Sequence, residues 1–501
     1  MFAVEIGETR FEYDVQALVK AFYPEENVRV MTPDMGEEKR AEAEKALRLK
    51  VEFLQDGARV SFFLPPATED NDAERTVDKS YLWQAEEGDR ESKAYKTEFK
   101  RFFYTTLSEY TKKTLPWGSL TGIRPTKIAM GLLENGKSGE EVISYMQKEY
   151  FVSSNKAELS VEIAEREKEL LSHIHYADGY SLYIGIPFCP TTCLYCSFTS
   201  YPLCKFERLV EAYIDCLIKE LRCVGEMYRD RVLDSVYIGG GTPTTLNPAQ
   251  LDRLLAAIRE HFDFSTVQEF TVEAGRADSI TEEKLAVLKK HGVGRISINP
   301  QTMKEETLKL IGRQATPKQV KEAFAMARAV GGFNINMDII LGLPGEGEAD
   351  VKNTIEEITA MQPDSLTVHS LAIKRASHLS KWILDNGIES LKNTDKTMEI
   401  AAQGAAGLHM HPYYLYRQKN MSGNFENVGY ATEGNYGLYN ILIMEEKQTI
   451  IACGAGSITK AVYPDGRIER MDNVKDVTLY IEKIDEMIER KQKLLTDYVV
   501  G

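Results

Sequence analysis

No stretch of the chain runs about 18 apolar residues without a charge, the length a membrane-crossing helix needs. The opening MFAVEIGETRFEYD lacks the basic and then apolar pattern of a secretory leader. The expectation is a cytoplasmic protein with no membrane partner. Positive charge is short as well: 61 Lys and Arg face 76 Asp and Glu, a net −15. A field of that sign repels phosphate backbones and anionic lipid, so nucleic acid is not an expected partner. Cysteine is scarce and odd in number, seven in 501 residues, which argues against a disulfide framework. Internal repeats and low-complexity tracts are missing too.

What is there is a globular composition, 43% apolar and 27% charged, in a chain long enough for two or three domains. Residues 1–175 read as an accessory α+β unit. Alternating apolar stretches (Phe2 to Ile6, Leu47 to Phe53, Arg59 to Leu64) precede helical patterns at Lys93 to Lys113 and Ser138 to Gln147. Between those helices LPWGSLTGIRPTKIA reads as a loop carrying Arg124 and Lys127, and a charged helix from Ala157 to His173 leads onward. Over 176–378 short apolar runs alternate with amphipathic helices, the pattern of βαβ units around a parallel sheet. Its strands are SLYIGIPF, SVYIGG, EFTVEA, RISINP, NINMDIILGL and SLTVHSL. Functional residues belong on the loops after such strands. Residues 379–501 form a third segment: a helix, a Tyr-rich strand at Tyr413 to Tyr416, a strand pair around Tyr439 to Met444 and Thr449 to Ala452, and a terminal charged helix.

Three of the seven cysteines, Cys189, Cys193 and Cys196, follow the first of these strands as C-x3-C-x2-C. Three thiolates on one loop can each hold one iron of a four-iron, four-sulfur cubane and leave the fourth iron open. An open iron can chelate the amino and carboxylate groups of S-adenosylmethionine beside an electron source. Zinc is the competing reading and wants a fourth ligand, for which Cys204 is the nearby candidate.

With YIGIPFCPTTCLYCSF and Gly239-Gly240-Gly241-Thr242-Pro243 the chain resembles the radical S-adenosylmethionine (radical SAM) superfamily, and within it the oxygen-independent coproporphyrinogen III oxidase family. The Leu-Thr-Gly-Ile-Arg-Pro-Thr-Lys and Tyr-Arg-Gln-Lys-Asn segments resemble its HemZ-type branch. The resemblance implies an α/β fold, a partial (β/α)6 barrel with an N-terminal α+β module and a C-terminal α+β extension that covers substrate. It implies a 4Fe-4S cluster on Cys189, Cys193 and Cys196 and one or two S-adenosylmethionine molecules held by Tyr183, Gly240, Gly241, Thr242, Glu273, Gln301, Arg313, Asp338 and Ala372. The bland alternatives are a core aromatic at Tyr183, satisfied acids at Glu273 and Asp338, and a solvated cation at Arg313.

By the same resemblance the substrate is a tetrapyrrole, coproporphyrinogen III, whose two propionates become vinyl groups, with a reduced flavodoxin or ferredoxin-type protein as electron donor. Such a substrate wants aromatic walls and basic tips. Arg417 and Lys419 beside the C-terminal tyrosines, with Arg124 and Lys127, are the candidates. Two departures stand out: Ser197 and Phe198 follow Cys196 where the oxidases read Cys-x-Cys, and Gly185 stands where they carry a His. The first is shared with the haem-carrying chaperones of the same family, whose His-Asn pair is Tyr439-Asn440 here. A haem chaperone and an anaerobic haem-modifying radical enzyme are the other readings.

Overall fold

A computed structural model describes the chain apart from residues 65–75, 86–88, 123, 177, 375–376, 389, 419–420 and 501, together with the side chains of 496–500. It falls into two compact units, residues 1–161 with 417–425, and residues 162–416 with 426–501.

The first unit is built on strands β1 (Phe2–Ile6), β2 (Val28–Met31), β3 (Leu47–Leu54), β4 (Gly57–Phe63) and β5 (Val77–Gln84), in the order β2-β1-β3-β4-β5. β1 runs parallel to both neighbours, and β3, β4 and β5 form an antiparallel meander. Helix Glu12–Phe22 buries Val15, Leu18, Val19 and Phe22, a spacing that lines one helical face. Helix Lys93–Thr111 starts where the Ser92 side chain accepts the Tyr95 amide proton, and it adds Tyr95, Phe99 and Phe103 to the same core. The expected loop around Arg124 is shorter than its sequence suggests. Pro125 caps helix Thr126–Glu134, so Lys127 is an exposed residue of the first helical turn; Pro with its fixed φ starts helices as readily as it breaks them.

The second unit is organised by one sheet. β6 (Gly179–Ile186) leads into a short pair, β7 (Phe188–Cys189) with β8 (Tyr201–Pro202). β9 (Val232–Gly240), β10 (Glu269–Glu273), β11 (Arg295–Ser297), β12 (Asn334–Leu341) and β13 (Ser365–Ser370) follow. β6, β9, β10, β11, β12 and β13 lie side by side in chain order, all parallel, with helices in the connections. These are the six strands read from the sequence, and the order is that of a partial (β/α)6 barrel. Capping boxes at Asn247 and Gln250 and at Thr316 and Gln319, each followed by Pro at the first helical position, start two of the connecting helices sharply.

The C-terminal segment extends this sheet at both edges. β14 (His411–Tyr416) and β15 (Asn427–Ala431) add antiparallel strands beside β13. β16 (Thr449–Cys453) adds a seventh parallel strand beside β6, followed by antiparallel β17 (Ile458–Val462) and β18 (Ile468–Asp472). The strands of 379–501 therefore share a sheet with the barrel, and the compact units run differently from the sequence division at 175 and 378. One expected strand is a helix. Leu438–Glu445 buries Leu438, Tyr439, Ile441, Leu442 and Glu445, and a short, mostly apolar run such as LYNILIM does not separate helix from strand by its period.

Candidate active site at the strand ends

The C-terminal ends of the parallel strands gather the candidate residues. β6 delivers the chain into the cysteine loop, where Cys189 and Cys193 are buried and Cys196 is half-buried. The loop is held from several sides. The Gly241 amide donates to Ile186 O at 2.7 Å and the Thr242 amide to Phe188 O at 2.7 Å. Thr242 Oγ1 donates to Cys189 Sγ at 3.5 Å. Leu194 N bonds to Ile311 O at 3.0 Å, and Thr191 Oγ1 to Gly312 O at 2.6 Å. Gly241 must be glycine for this approach, because a Cβ would stand 2.6 Å from Phe188 O and 3.0 Å from Cys189 Sγ. Burial pushes the Cys189 thiol up to about 11, with Cys196 and Cys193 adding to it and Thr242 and Arg276 opposing it. Burial raises Cys196 as well.

Tyr183 of β6 and Tyr237 of β9 are register partners, and their rings stack at 6.2 Å between centroids. Tyr439 stacks on both, at 6.1 Å from Tyr183 and 4.4 Å from Tyr237. Tyr237 donates its hydroxyl to Glu273 Oε1 at 2.5 Å. Burial raises the Glu273 carboxyl to about 7; Tyr237, His369 and the Gly240 amide pull it down, and the Asp338 charge pushes it up. Burial would raise Asp338 too, but hydrogen bonds from His369, Asn336 and Thr367 outweigh it and hold the carboxylate below its usual range. Gln301 takes a positive φ of 68° and is tied to β12, its amide to Asp338 O at 3.0 Å and its carbonyl to the Ile340 amide at 2.9 Å. Ala372 follows β13 and is half-buried.

Arg313 reaches across the strand ends. Its Nη1 donates to Gly275 O at 3.1 Å and Asn299 O at 2.6 Å, and its Nη2 to the Tyr195 hydroxyl at 3.3 Å. Arg313 Nε and Ser297 Oγ are buried with no hydrogen-bond partner. Two orphaned polar atoms, one on the turn after helix Glu305–Leu310 and one at the end of β11, are what a polar ligand would satisfy. Sequence reasoning missed Tyr237, Tyr439, Ser297 and Arg276. The two-residue period of β9 carried a signal for Tyr237, which shares a face with Gly239; nothing in the spacing pointed to Arg276.

The basic candidates for substrate belong to the first unit. Arg124 is half-buried. Arg417 is 5% exposed; its Nη1 donates to Leu120 O at 2.6 Å, its Nη2 to Asn424 Oδ1 at 2.7 Å, and it lies over the Trp117 ring. Lys419 lies outside the described residues.

Comparison with known proteins agrees with this geometry. A family model for the radical SAM superfamily matches residues 183–358. The oxygen-independent coproporphyrinogen-III oxidase-like protein HemZ of Bacillus subtilis is 40% identical over 408 residues, 80% of this chain and 81% of that protein. The chain belongs to this HemZ-like family of radical SAM proteins. The oxygen-independent coproporphyrinogen III oxidase of Salmonella typhimurium is 32% identical over 61% of the chain and 65% of its own length. The heme chaperone HemW of Lactococcus lactis is 37% identical over 39% of the chain and 49% of its own length. The coproporphyrinogen III oxidase HemN of Escherichia coli shares the fold, with a TM-score of 0.50 and 21% identity over 64% of this chain and 72% of that one.

Radical SAM proteins use a 4Fe-4S cluster and S-adenosylmethionine, and the strand-end residues fit both. A cubane that leaves one iron open asks for three thiolates, one on each of the other irons, which Cys189, Cys193 and Cys196 supply. Among the described residues no three His, Cys, Asp or Glu side chains converge on one ion, as a tetrahedral zinc would require. Among the described residues no helix is long and apolar enough to cross a membrane.

Proposed function

We propose that this HemZ-like protein decarboxylates coproporphyrinogen III oxidatively to protoporphyrinogen IX without oxygen. Cys189, Cys193 and Cys196 would hold the cluster. When bound, the cluster would supply the electron that splits S-adenosylmethionine into methionine and a 5'-deoxyadenosyl radical able to take a hydrogen atom beside a propionate carboxylate, after which loss of carbon dioxide and of one electron to an external acceptor would leave the vinyl group. The observation that carries the reading is the 40% identity to the HemZ relative over most of both chains.

The chain's own residues would bind and orient. Tyr183, in its stack with Tyr237 and Tyr439, offers an aromatic wall. Gly240, Gly241 and Thr242 join the end of β9 to the cysteine loop, which leaves backbone groups close to any ligand lodged there. Glu273, fixed by Tyr237, would accept hydrogen bonds from ribose hydroxyls or an ammonium group. Arg313 would turn its orphaned Nε to a carboxylate, and Asp338, Gln301 and Ala372 would complete the cofactor contacts. Arg124, Lys127 and Lys419 are proposed for the substrate's carboxylates. Arg417 serves its own unit first, since both terminal nitrogens of its guanidinium are committed there. The segment 379–501 would cover the substrate, a flavodoxin or ferredoxin-type protein would deliver the electron, and the site of action would be the cytoplasm.

The second reading, haem carriage, is favoured by Phe198. It follows the cysteine loop and is 75% exposed, an unusual setting for a large apolar ring. Against it, Tyr439 is buried in the tyrosine stack and is not presented as an axial ligand. Anaerobic incubation of reconstituted protein with S-adenosylmethionine, a reductant and coproporphyrinogen tests the first reading. Protoporphyrinogen supports it; stoichiometric haem binding without turnover supports the carrier.

A further inference from the structure

The loop after β10 carries a guanidinium aimed at the cysteine loop. Arg276 is 4% exposed. Its Nε and Nη2 grip Asp278 in a two-point clamp, at 3.0 Å to Oδ1 and 2.6 Å to Oδ2. The clamp fixes the plane of the fork and leaves Nη1 facing the other way. Nη1 donates to Thr191 Oγ1 at 2.8 Å and Thr191 O at 3.2 Å, and it reaches Cys193 Sγ at 3.8 Å. One buried cation thus ties the tip of the third barrel strand to the middle thiol of the C-x3-C-x2-C loop.

We propose that Arg276 sets the reduction potential of the cluster by donating a charge-assisted hydrogen bond to the sulfur of Cys193. The inference rests on the reading that Cys193 is a cluster ligand. An added electron increases the negative charge on the ligand sulfurs, so a donor held against one of them stabilises the reduced form more than the oxidised form. Asp278 balances the charge of Arg276 at a distance. At the sulfur the near pole is still the N–H, because the carboxylate sits on the far side of the fork, and burial keeps water from screening the contact. Lysine cannot reproduce this geometry, since one ammonium cannot grip both carboxylate oxygens and also reach the sulfur from the opposite edge.

The test is an anaerobic redox titration of the reconstituted full chain, followed by electron paramagnetic resonance, for wild type, Arg276→Gln and Arg276→Lys. Iron and sulfide are counted in each sample. Arg276→Gln is expected to keep its cluster and to lower the midpoint so that the ratio of reduced to oxidised cluster at a fixed poise falls about tenfold, about 59 mV for a one-electron couple. Arg276→Lys should shift the same way by less. An Arg276→Gln protein with full iron and sulfide and the wild-type midpoint overturns the inference and leaves the cluster reading standing. If Arg276→Gln holds no cluster, Arg276→Lys decides: a lowered midpoint supports the inference and an unchanged one overturns it. If neither variant retains iron, Arg276 is a folding residue and the inference is overturned. Absence of iron and sulfide from the wild type overturns the cluster reading, and the inference with it.

Discussion

Tyr237 and Glu273 stand on adjacent parallel strands and share a 2.5 Å hydrogen bond, the tyrosine donating, beneath the rings of Tyr183 and Tyr439. The bond holds a half-buried acid at the end of β10 and anchors an aromatic wall beside it. Gly239 makes the arrangement possible: a Cβ there would come within 2.9 Å of the Tyr237 ring and 3.0 Å of the Glu273 carboxyl carbon.

This acid gives a pH signature. Burial raises Glu273 to about 7 in the folded state, against 4.5 as its ordinary value. Between those limits the folded protein holds a proton that the unfolded chain has released, so stability falls as pH rises through the window. The loss should be on the order of 2 kcal/mol, given that the residue keeps some access to solvent. Urea denaturation of the metal-free protein at a series of pH values should show this decline in wild type and a flatter profile in Glu273→Gln.

Each of Cys189→Ala, Cys193→Ala and Cys196→Ala should lose most of the iron and sulfide that the wild type takes up anaerobically, whereas Cys204→Ala should keep both. Cys204 is exposed on the helical turn that follows β8. Retention of full iron and sulfide by any of the three loop variants would remove that residue from the ligand set.

A methyl group at Gly241 has nowhere to go. It would press on the carbonyl oxygens of Phe188 in β7 and Ile186 at the end of β6, at 2.6 and 2.9 Å, and on Cys189 Sγ at 3.0 Å. Gly241→Ala should therefore cost about 2–4 kcal/mol in urea denaturation and lower cluster content. Gly136→Ala serves as a contrast: its φ is positive at 83°, a strain that Gly241 does not carry, but nothing lies within 4 Å of the added carbon. It should cost about 1 kcal/mol and leave the iron unchanged.

Lys491 and Glu220 form a buried ion pair at 2.6 Å, 2% and 0% exposed, with Tyr480, Asn473 and the Gly454 amide satisfying the carboxylate. Lys491→Met leaves that carboxylate without its cation and should destabilise by about 3–5 kcal/mol. Lys491→Met with Glu220→Leu should recover part of the loss. Denaturation midpoints of the two single variants and the double variant check this.

Much of this was legible beforehand because the barrel strands are short apolar runs with turn residues after them, and chemistry in such sheets gathers at their C-terminal ends. The cysteine loop announces itself by its spacing; the Gly240-Gly241-Thr242 turn is weak evidence alone and stands out only through the family resemblance. Tyr439 was misread because LYNILIM satisfies a strand and a helix equally, so its place in the stack with Tyr183 stayed hidden. Arg276 was invisible for another reason. A lone Arg in a loop is ordinarily solvated, and only the tertiary fold shows that Asp278 and Thr191 draw it inside.

The seventh parallel strand has a kinetic corollary. β6, which launches the cysteine loop, gains its outer neighbour from β16, and Ser181 finds its partner Gln448 267 positions later at 2.8 Å. Contacts so distant in sequence form late and slowly, since a long loop must close before they contribute. During synthesis the loop is therefore made long before its scaffold is complete, and metallation should lag behind emergence of the three cysteines until β16 has left the ribosome.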